Sequence, residues 1–223
     1  LDRIKKAKLI DKVVIILPNN KKNNVLQKYI KKIGYTSFRG SEKNVLDRYY
    51  KASKKFKSKN IIRITSDCPF IDVGVLNKMV KIFASLNYDY MSNIKPRSFP
   101  KGLDIEIFTF QTLKQTWTRA KTKYDKEHVT PYMVRSKKFS HYNFKNNFNY
   151  QNLRVTLDTK KDLEILNKIY EKLSKIKNFN LSDIIKLYKK SPKTFRWIKF
   201  MKKILIMGLP GSGKTTLASK LVP

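Results

Sequence analysis

Apolar positions fall into two rhythms along this chain. Leu1, Ile4, Ala7 and Ile10 stand three apart, the spacing of one helix face, so the sequence is expected to open inside a helix. Residues 13–17 (V-V-I-I-L) form a continuous apolar run of strand length, the kind buried on both faces of a parallel sheet. A helix is expected next, with Val25, Leu26, Tyr29, Ile30 and Ile33 on one side and Gly34 as a left-handed stop. Residues 35–38 predict a short strand. Gly40-Ser41-Glu42 then turns the chain into a helix carrying Val45, Leu46, Tyr49, Tyr50 and Phe56, with the two tyrosines read as core.

The alternation continues. Residues 60–65 (N-I-I-R-I-T) predict another buried strand, ending in Ser66-Asp67-Cys68-Pro69 before a helix over 72–86. Residues 88–93 predict a strand and 94–102 a loop. Leu103, Ile105 and Ile107 then alternate with Asp104 and Glu106, the period of a strand. A helix over 113–120, a strand over 141–144 and a strand over 154–157 that feeds Asp158 follow. Thr159 and Asp162 make a box-like start for a helix bearing Leu163, Leu166, Ile169, Tyr170 and Leu173. Strands alternating with helices at this spacing predict an α/β fold, a mainly parallel Rossmann-like sheet with helices on both faces. The expected division is a domain over 1–178, a basic helix and linker over 179–200, and the start of a second domain over 201–223.

That last segment carries a distinct motif. Gly208 to Thr215 reads G-L-P-G-S-G-K-T, a phosphate-binding loop, with the strand-like K-I-L-I-M before it and a helix-like run after it. In such a loop Gly208, Gly211, Ser212 and Gly213 turn backbone N–H groups onto nucleotide phosphates. Lys214 reaches the β/γ oxygens and Thr215 is available to Mg²⁺. The expectation is a P-loop domain cut short, binding ATP where complete. A small-molecule kinase is therefore one alternative function.

Composition narrows the remaining classes. The 223 residues are 41% hydrophobic, enough for a core, and no apolar run approaches the ~20 residues of a membrane span. A single cysteine, Cys68, excludes an internal disulfide and suits a reducing cytoplasm. The formal charge of +34 raises a second alternative, a basic nucleic-acid-binding protein. Lysines are nevertheless spread over nearly every expected helix and loop, alongside many Asn, Ile, Tyr and Phe, as a compositionally biased genome would give. No nucleic-acid motif is recognisable, so the reading is a solvated surface with non-specific polyanion affinity and no specific nucleic-acid partner.

In an open sheet of this kind ligands bind beyond the carboxyl ends of the strands. Asp67, Asp158 and the pair Asp104 and Glu106 are placed to face that crevice. Carboxylates there can hold Mg²⁺ together with nucleotide phosphates. An aspartate at a strand-to-helix junction also serves as a helix cap, so spacing alone leaves both roles open. Cys68, beside Asp67, is read as packing, and Trp117 and Trp197 carry no motif.

Five blocks, in order, add a resemblance: 40–50 (G-S-E-K-N-V-L-D-R-Y-Y), 63–72 (R-I-T-S-D-C-P-F-I-D), 102–106 (G-L-D-I-E), 127–132 (E-H-V-T-P-Y) and 153–159 (L-R-V-T-L-D-T). This set resembles the spore-coat polysaccharide F-type branch of the cytidylyltransferases, which is similar in turn to the acylneuraminate and deoxyoctulosonate cytidylyltransferases. The resemblance implies a nucleotide-diphospho-sugar transferase fold. It also implies CMP transfer from CTP to an acidic or modified sugar, with pyrophosphate release, for surface polysaccharide synthesis.

By the same carry-over Asp67 is the first metal ligand and Asp158 the second, with Arg154 meeting a phosphate or a sugar carboxylate. Asp104, Glu106 and His128 would contact substrate, and His128 can equally make a structural hydrogen bond. Ser66 stands where the family has Gly. The family's first strand and basic nucleotide loop have no counterpart here, so a truncated start is expected. The tail resembles the opening of an adenylylsulfate kinase, with Met201 as a former start codon. A homodimer is left open.

Overall fold

The apolar run near the start forms β1 (Val14–Pro18), and the short stretch after Gly34 forms β2 (Thr36–Gly40), paired in parallel with Val14 opposite Thr36. In this computed structural model residues 1–195 are described, and the phosphate-loop motif at 208–215 lies outside them. A short α1 (Asp2–Lys5) precedes β1, and α2 (Asn24–Lys32) connects the two strands. Gly34 is left-handed, φ 78°, as its place after the helix requires. Of the apolar side of α2 only Ile30 is buried. Val25 is 78% exposed and Leu26, Tyr29 and Ile33 are exposed too, so the expected inward face points largely outward.

After α3 (Val45–Lys55), capped by the Asn44 side chain, the chain runs through β3 (Asn60–Arg63) and α4 (Val73–Ser85), capped by Asp72. Next come β4 (Tyr90–Ser92), β5 (Glu106–Thr109), α5 (Phe110–Arg119), α6 (Lys123–His128), α7 (Pro131–Arg135) and β6 (His141–Asn143). The order β3-β5-β4-β6 makes a second sheet, and it is mixed. β5 runs antiparallel to both β3 and β4, while β4 and β6 are parallel. The expected mainly parallel sheet is thereby corrected: apolar runs report burial on both faces but not strand direction. Among the described residues the edge of β1 away from β2 and the edge of β3 away from β5 carry no paired strand.

Helices cover both faces of the second sheet. Met91, Ile105 and Ile107 pack with Leu76, Met79 and Phe83 of α4. Ile61, Tyr90 and Phe108 point the other way, toward Leu46, Leu113 and Met133 of α3, α5 and α7. Each such side chain contributes about 1.5–3 kcal/mol by leaving water.

The stretch expected as a strand at 154–157 makes only a single bridge, Arg154 to Lys101, and is otherwise extended loop. Beyond it α8 (Lys160–Leu173) opens with the expected capping box of Thr159 and Asp162. α9 (Leu181–Lys190), expected as part of a basic linker, joins the core: Phe179, Leu181, Ile184 and Phe195 pack with Val155, Leu166 and Ile169. The Leu181 N–H donates to the buried Asp72 carboxylate at 2.6 Å, tying α9 to α4.

Candidate active site

Three backbone runs converge beyond the carboxyl end of β3. The loop 64–68 leaves that strand, the segment 101–105 approaches β5, and 153–158 lies alongside both. Lys101 N–H donates to Leu153 O at 2.8 Å and Val155 N–H returns a bond to Lys101 O at 2.7 Å. Leu157 N–H donates to the Asp67 carbonyl at 2.9 Å. Gly102 permits the approach, since its φ is 99° and a Cβ there would stand 2.6 Å from the Val155 carbonyl carbon and oxygen. Each run brings one carboxylate: Asp67, Asp104 and Asp158.

Asp104 is held from both sides. The fully buried Asn93 side chain accepts from Ile105 N–H at 2.9 Å and donates to Leu103 O at 2.7 Å, so the residues flanking Asp104 are clamped. Arg97 then forms a two-pronged ion pair with Asp104, at 2.6 and 2.8 Å, and its guanidinium is held more firmly protonated by those hydrogen bonds. Neither Asn93 nor Arg97 was singled out by the sequence. The signal available was Asn93 at the end of an expected strand and Arg97 in the loop beyond it.

Asp158 is half-exposed and is engaged by Arg154 and by the Thr156 hydroxyl. Arg154 also reaches Asp162 at 3.2 Å, and the buried Asp162 carboxylate accepts the N–H groups of Asp158 and Thr159, both at 2.8 Å. Asp162 thus caps α8 and orients the Asp158 backbone, while Arg154 lies between two acids. Asp67 is partly buried; its Oδ1 lies 3.7 Å from the Cys68 sulfur. Burial pushes the Cys68 thiol up to about 11, which fits packing and leaves it protonated.

Glu106 lies apart from these three. It is 2% exposed, with one oxygen on Arg63 and the other accepting from the Tyr90 hydroxyl at 2.6 Å. Burial and the neighbouring Glu106 raise the Tyr90 hydroxyl, and Glu106 raises Arg63 against the opposing effect of burial. Asp104 and Glu106, two residues apart in one strand approach, therefore do different work. His128 stands at the exposed end of α6, its ring 4.5 Å from that of Tyr124, with no hydrogen bond to the three acids. The residue after it is unusual: Val129 is fully buried with φ 72° and ψ −57°, a tight three-residue turn closed by Thr130 N–H to His128 O at 2.9 Å. Tyr50, expected as core, stacks on Trp117 at 4.3 Å, and the Trp117 N–H donates to Asp47.

Among the described residues no group of three or more Asp, Glu, His or Cys side chains is gathered closely enough to hold a metal by itself. The Leu157 bond joins the backbone that carries Asp158 to that of Asp67.

A mixed sheet between helices makes this an α/β protein, and its solved neighbours share the nucleotide-diphospho-sugar transferase type of fold. A solved cytidylyltransferase from Leptospira borgpetersenii superposes with a TM-score of 0.82 at 29% identity, over 93% of this chain and 85% of that one. A CMP:2-keto-3-deoxy-manno-octonic acid synthetase, solved with CTP, shares the fold at a TM-score of 0.56 and 9% identity, over 78% of this chain and 85% of that one. The chain belongs to the cytidylyltransferase family, whose model matches residues 1–199. Its relatives include the uncharacterised protein MJ1063 of Methanocaldococcus jannaschii, 34% identical over 86% of this chain and 79% of that protein. Another is the spore coat polysaccharide biosynthesis protein SpsF of Bacillus subtilis, 29% identical over 82% of this chain and 76% of that protein.

Proposed function

We propose that this protein transfers CMP from CTP to the hydroxyl of an acidic or modified sugar, releasing pyrophosphate, in the synthesis of a surface polysaccharide. The observation that carries the reading is that Asp67, Asp104 and Asp158 each lie on one of three adjoining backbone runs, within a chain of the cytidylyltransferase family. The CTP bound to the structural neighbour and the polysaccharide role of SpsF point to the same substrates.

The chemistry is displacement at the α-phosphorus. The sugar oxygen bonds to that phosphorus, the bond to the bridging oxygen of pyrophosphate breaks and pyrophosphate leaves with that electron pair, and the hydroxyl proton passes to solvent. Asp67 and Asp158 would hold Mg²⁺, which supplies neutralisation of the charge that builds on the phosphates. Asp104, fixed by Asn93 and paired with Arg97, would orient the sugar, and Arg154 would hold Asp158 in position through their ion pair. Glu106 serves as the buried partner of Arg63. His128, exposed and outside this meeting point, would contact substrate only at the periphery.

Incubating the protein with CTP, Mg²⁺ and a panel of 2-keto acidic and amino sugars, and following pyrophosphate release, tests the reading. Sugar-dependent release supports it; no release with any member of the panel counts against it. The motif at 208–215 falls outside the family match, and ATP binding there is a separate proposal, read by nucleotide titration of Lys214→Ala against the parent.

A further inference from the structure

Arg48 is only 8% exposed, yet its Nε and Nη1 have no hydrogen-bond partner. A guanidinium withdrawn from water without a carboxylate or carbonyl to receive its protons is costly, and burial correspondingly makes Arg48 easier to deprotonate. Glu42 and Tyr49 lie within electrostatic reach, but neither bonds to it. The partly buried Arg63, Arg97 and Arg3 each bond a carboxylate or backbone carbonyls, although Arg63 Nε is also unmatched; Arg48 differs in having two unmatched nitrogens and no carboxylate or carbonyl bonded to it.

Its position suggests what it awaits. Arg48 sits at the start of α3, with its Cβ and Cγ 3.3 and 3.1 Å from where a Cβ on Gly40 would lie, at the carboxyl end of β2. β1 ends beside it, since Asn19 N–H donates to Gly40 O at 2.7 Å. Strand ends and helix starts of this kind face the ligand crevice of an open α/β sheet. A cation in the first turn of a helix also opposes the helix dipole, so local helix stability gives no reason to place Arg there.

We propose that Arg48 binds an oxyanion of the substrates, either a phosphate of the nucleotide or the carboxylate of the sugar. The identity of those two candidates rests on the cytidylyltransferase reading; the anion site itself does not. A planar fork with unmet donors suits either group. Gly40 leaves room for the Arg48 stem, and Asn44 caps α3 with its side chain.

The test compares the full-length protein with Arg48→Met and Arg48→Lys. Three quantities are read: KM for CTP, KM for the sugar, and the dissociation constant of inorganic pyrophosphate by calorimetry. At least one should rise by about tenfold or more in the Met variant, with the Lys variant in between. CTP and pyrophosphate moving together identifies the phosphate, and the sugar KM moving alone identifies the carboxylate. Because an unpaired buried charge is removed, the ligand-free Met variant should also unfold at a higher temperature than the parent.

A rise of less than about tenfold in all three quantities overturns the proposal. If the Met variant fails to fold, the Lys variant decides by the same readouts. If the parent releases no pyrophosphate from CTP, the functional reading fails on its own account, and pyrophosphate binding alone then decides the role of Arg48.

Discussion

The N–H of Leu157 donates to the carbonyl of Asp67 at 2.9 Å, so the loop that ends β3 and the segment that carries Asp158 are joined by backbone between the two acids. Leu157→Pro removes that donor and nothing polar from either side chain. Turnover should fall by about tenfold or more, while stability falls by only about 1–3 kcal/mol, the cost of one unsatisfied buried acceptor. Steady-state kinetics and denaturant unfolding on the same preparation check this; equal kcat in both proteins would mean the two acids do not act together.

Gly102→Ala should be damaging in both respects. The left-handed φ of 99° already disfavours a side chain, and the added Cβ would stand 2.6 Å from Val155. The expected loss is about 1–3 kcal/mol from backbone strain, with more from the clash. Thermal unfolding measures it, and a wild-type midpoint would show that segments 101–105 and 153–158 are not packed as described.

Glu106→Gln tests whether that carboxylate is structural. It leaves the buried Arg63 guanidinium without its counter-charge, so about 3–5 kcal/mol of stability should be lost. The KM for sugar should stay near that of the parent. A stable variant with a raised sugar KM would instead return Glu106 to the substrate.

How far the sequence foretold these roles differs from residue to residue. The V-V-I-I-L run, Gly34 and the Thr159–Asp162 box were readable because strand burial, left-handed stops and helix caps depend on neighbours a few residues away. The antiparallel course of β5 was not, since pairing direction is set by connections and not by periodicity. The exposure of Val25 and Tyr29 shows the same limit: the helical period of α2 was legible, the direction of its apolar side was not. Asp104 and Glu106 have the same residue spacing from an apolar face, yet one pairs with Arg97 and the other with Arg63. Arg63 lies 43 residues from Glu106, a pairing that leaves no local trace, and the unmet donors of Arg48 leave none either.

Acid stability should depend on Asp125. Arg135 grips this fully buried carboxylate through both oxygens, and those hydrogen bonds hold it below the usual range. Because the folded value is depressed, its contribution is complete above the unfolded value of about 4 and is lost as pH falls through the folded value. Asp125→Asn should therefore destabilise the protein near neutrality and flatten the stability profile below about pH 4. Urea unfolding across that range checks the sign; a profile that keeps its acid slope in the variant would assign the slope to other carboxylates.

Cys68 should be silent toward alkylation in the folded protein, because its thiol is buried and pushed up to about 11. Iodoacetamide at pH 8 should label it only after unfolding, and Cys68→Ala should retain turnover. Rapid native labelling that abolishes activity would contradict the packing role.

The account turns on Asp67 and Asp158 acting as a pair on the phosphates of CTP. The direct measurement is sugar-dependent pyrophosphate release by the parent, Asp67→Asn, Asp158→Asn and the double variant over a range of Mg²⁺ concentrations. The account predicts that each single variant loses about a hundredfold or more in turnover and needs more Mg²⁺, and that the double variant is little worse than either. Turnover near the parent's in either single variant, with an unchanged Mg²⁺ requirement, would contradict it.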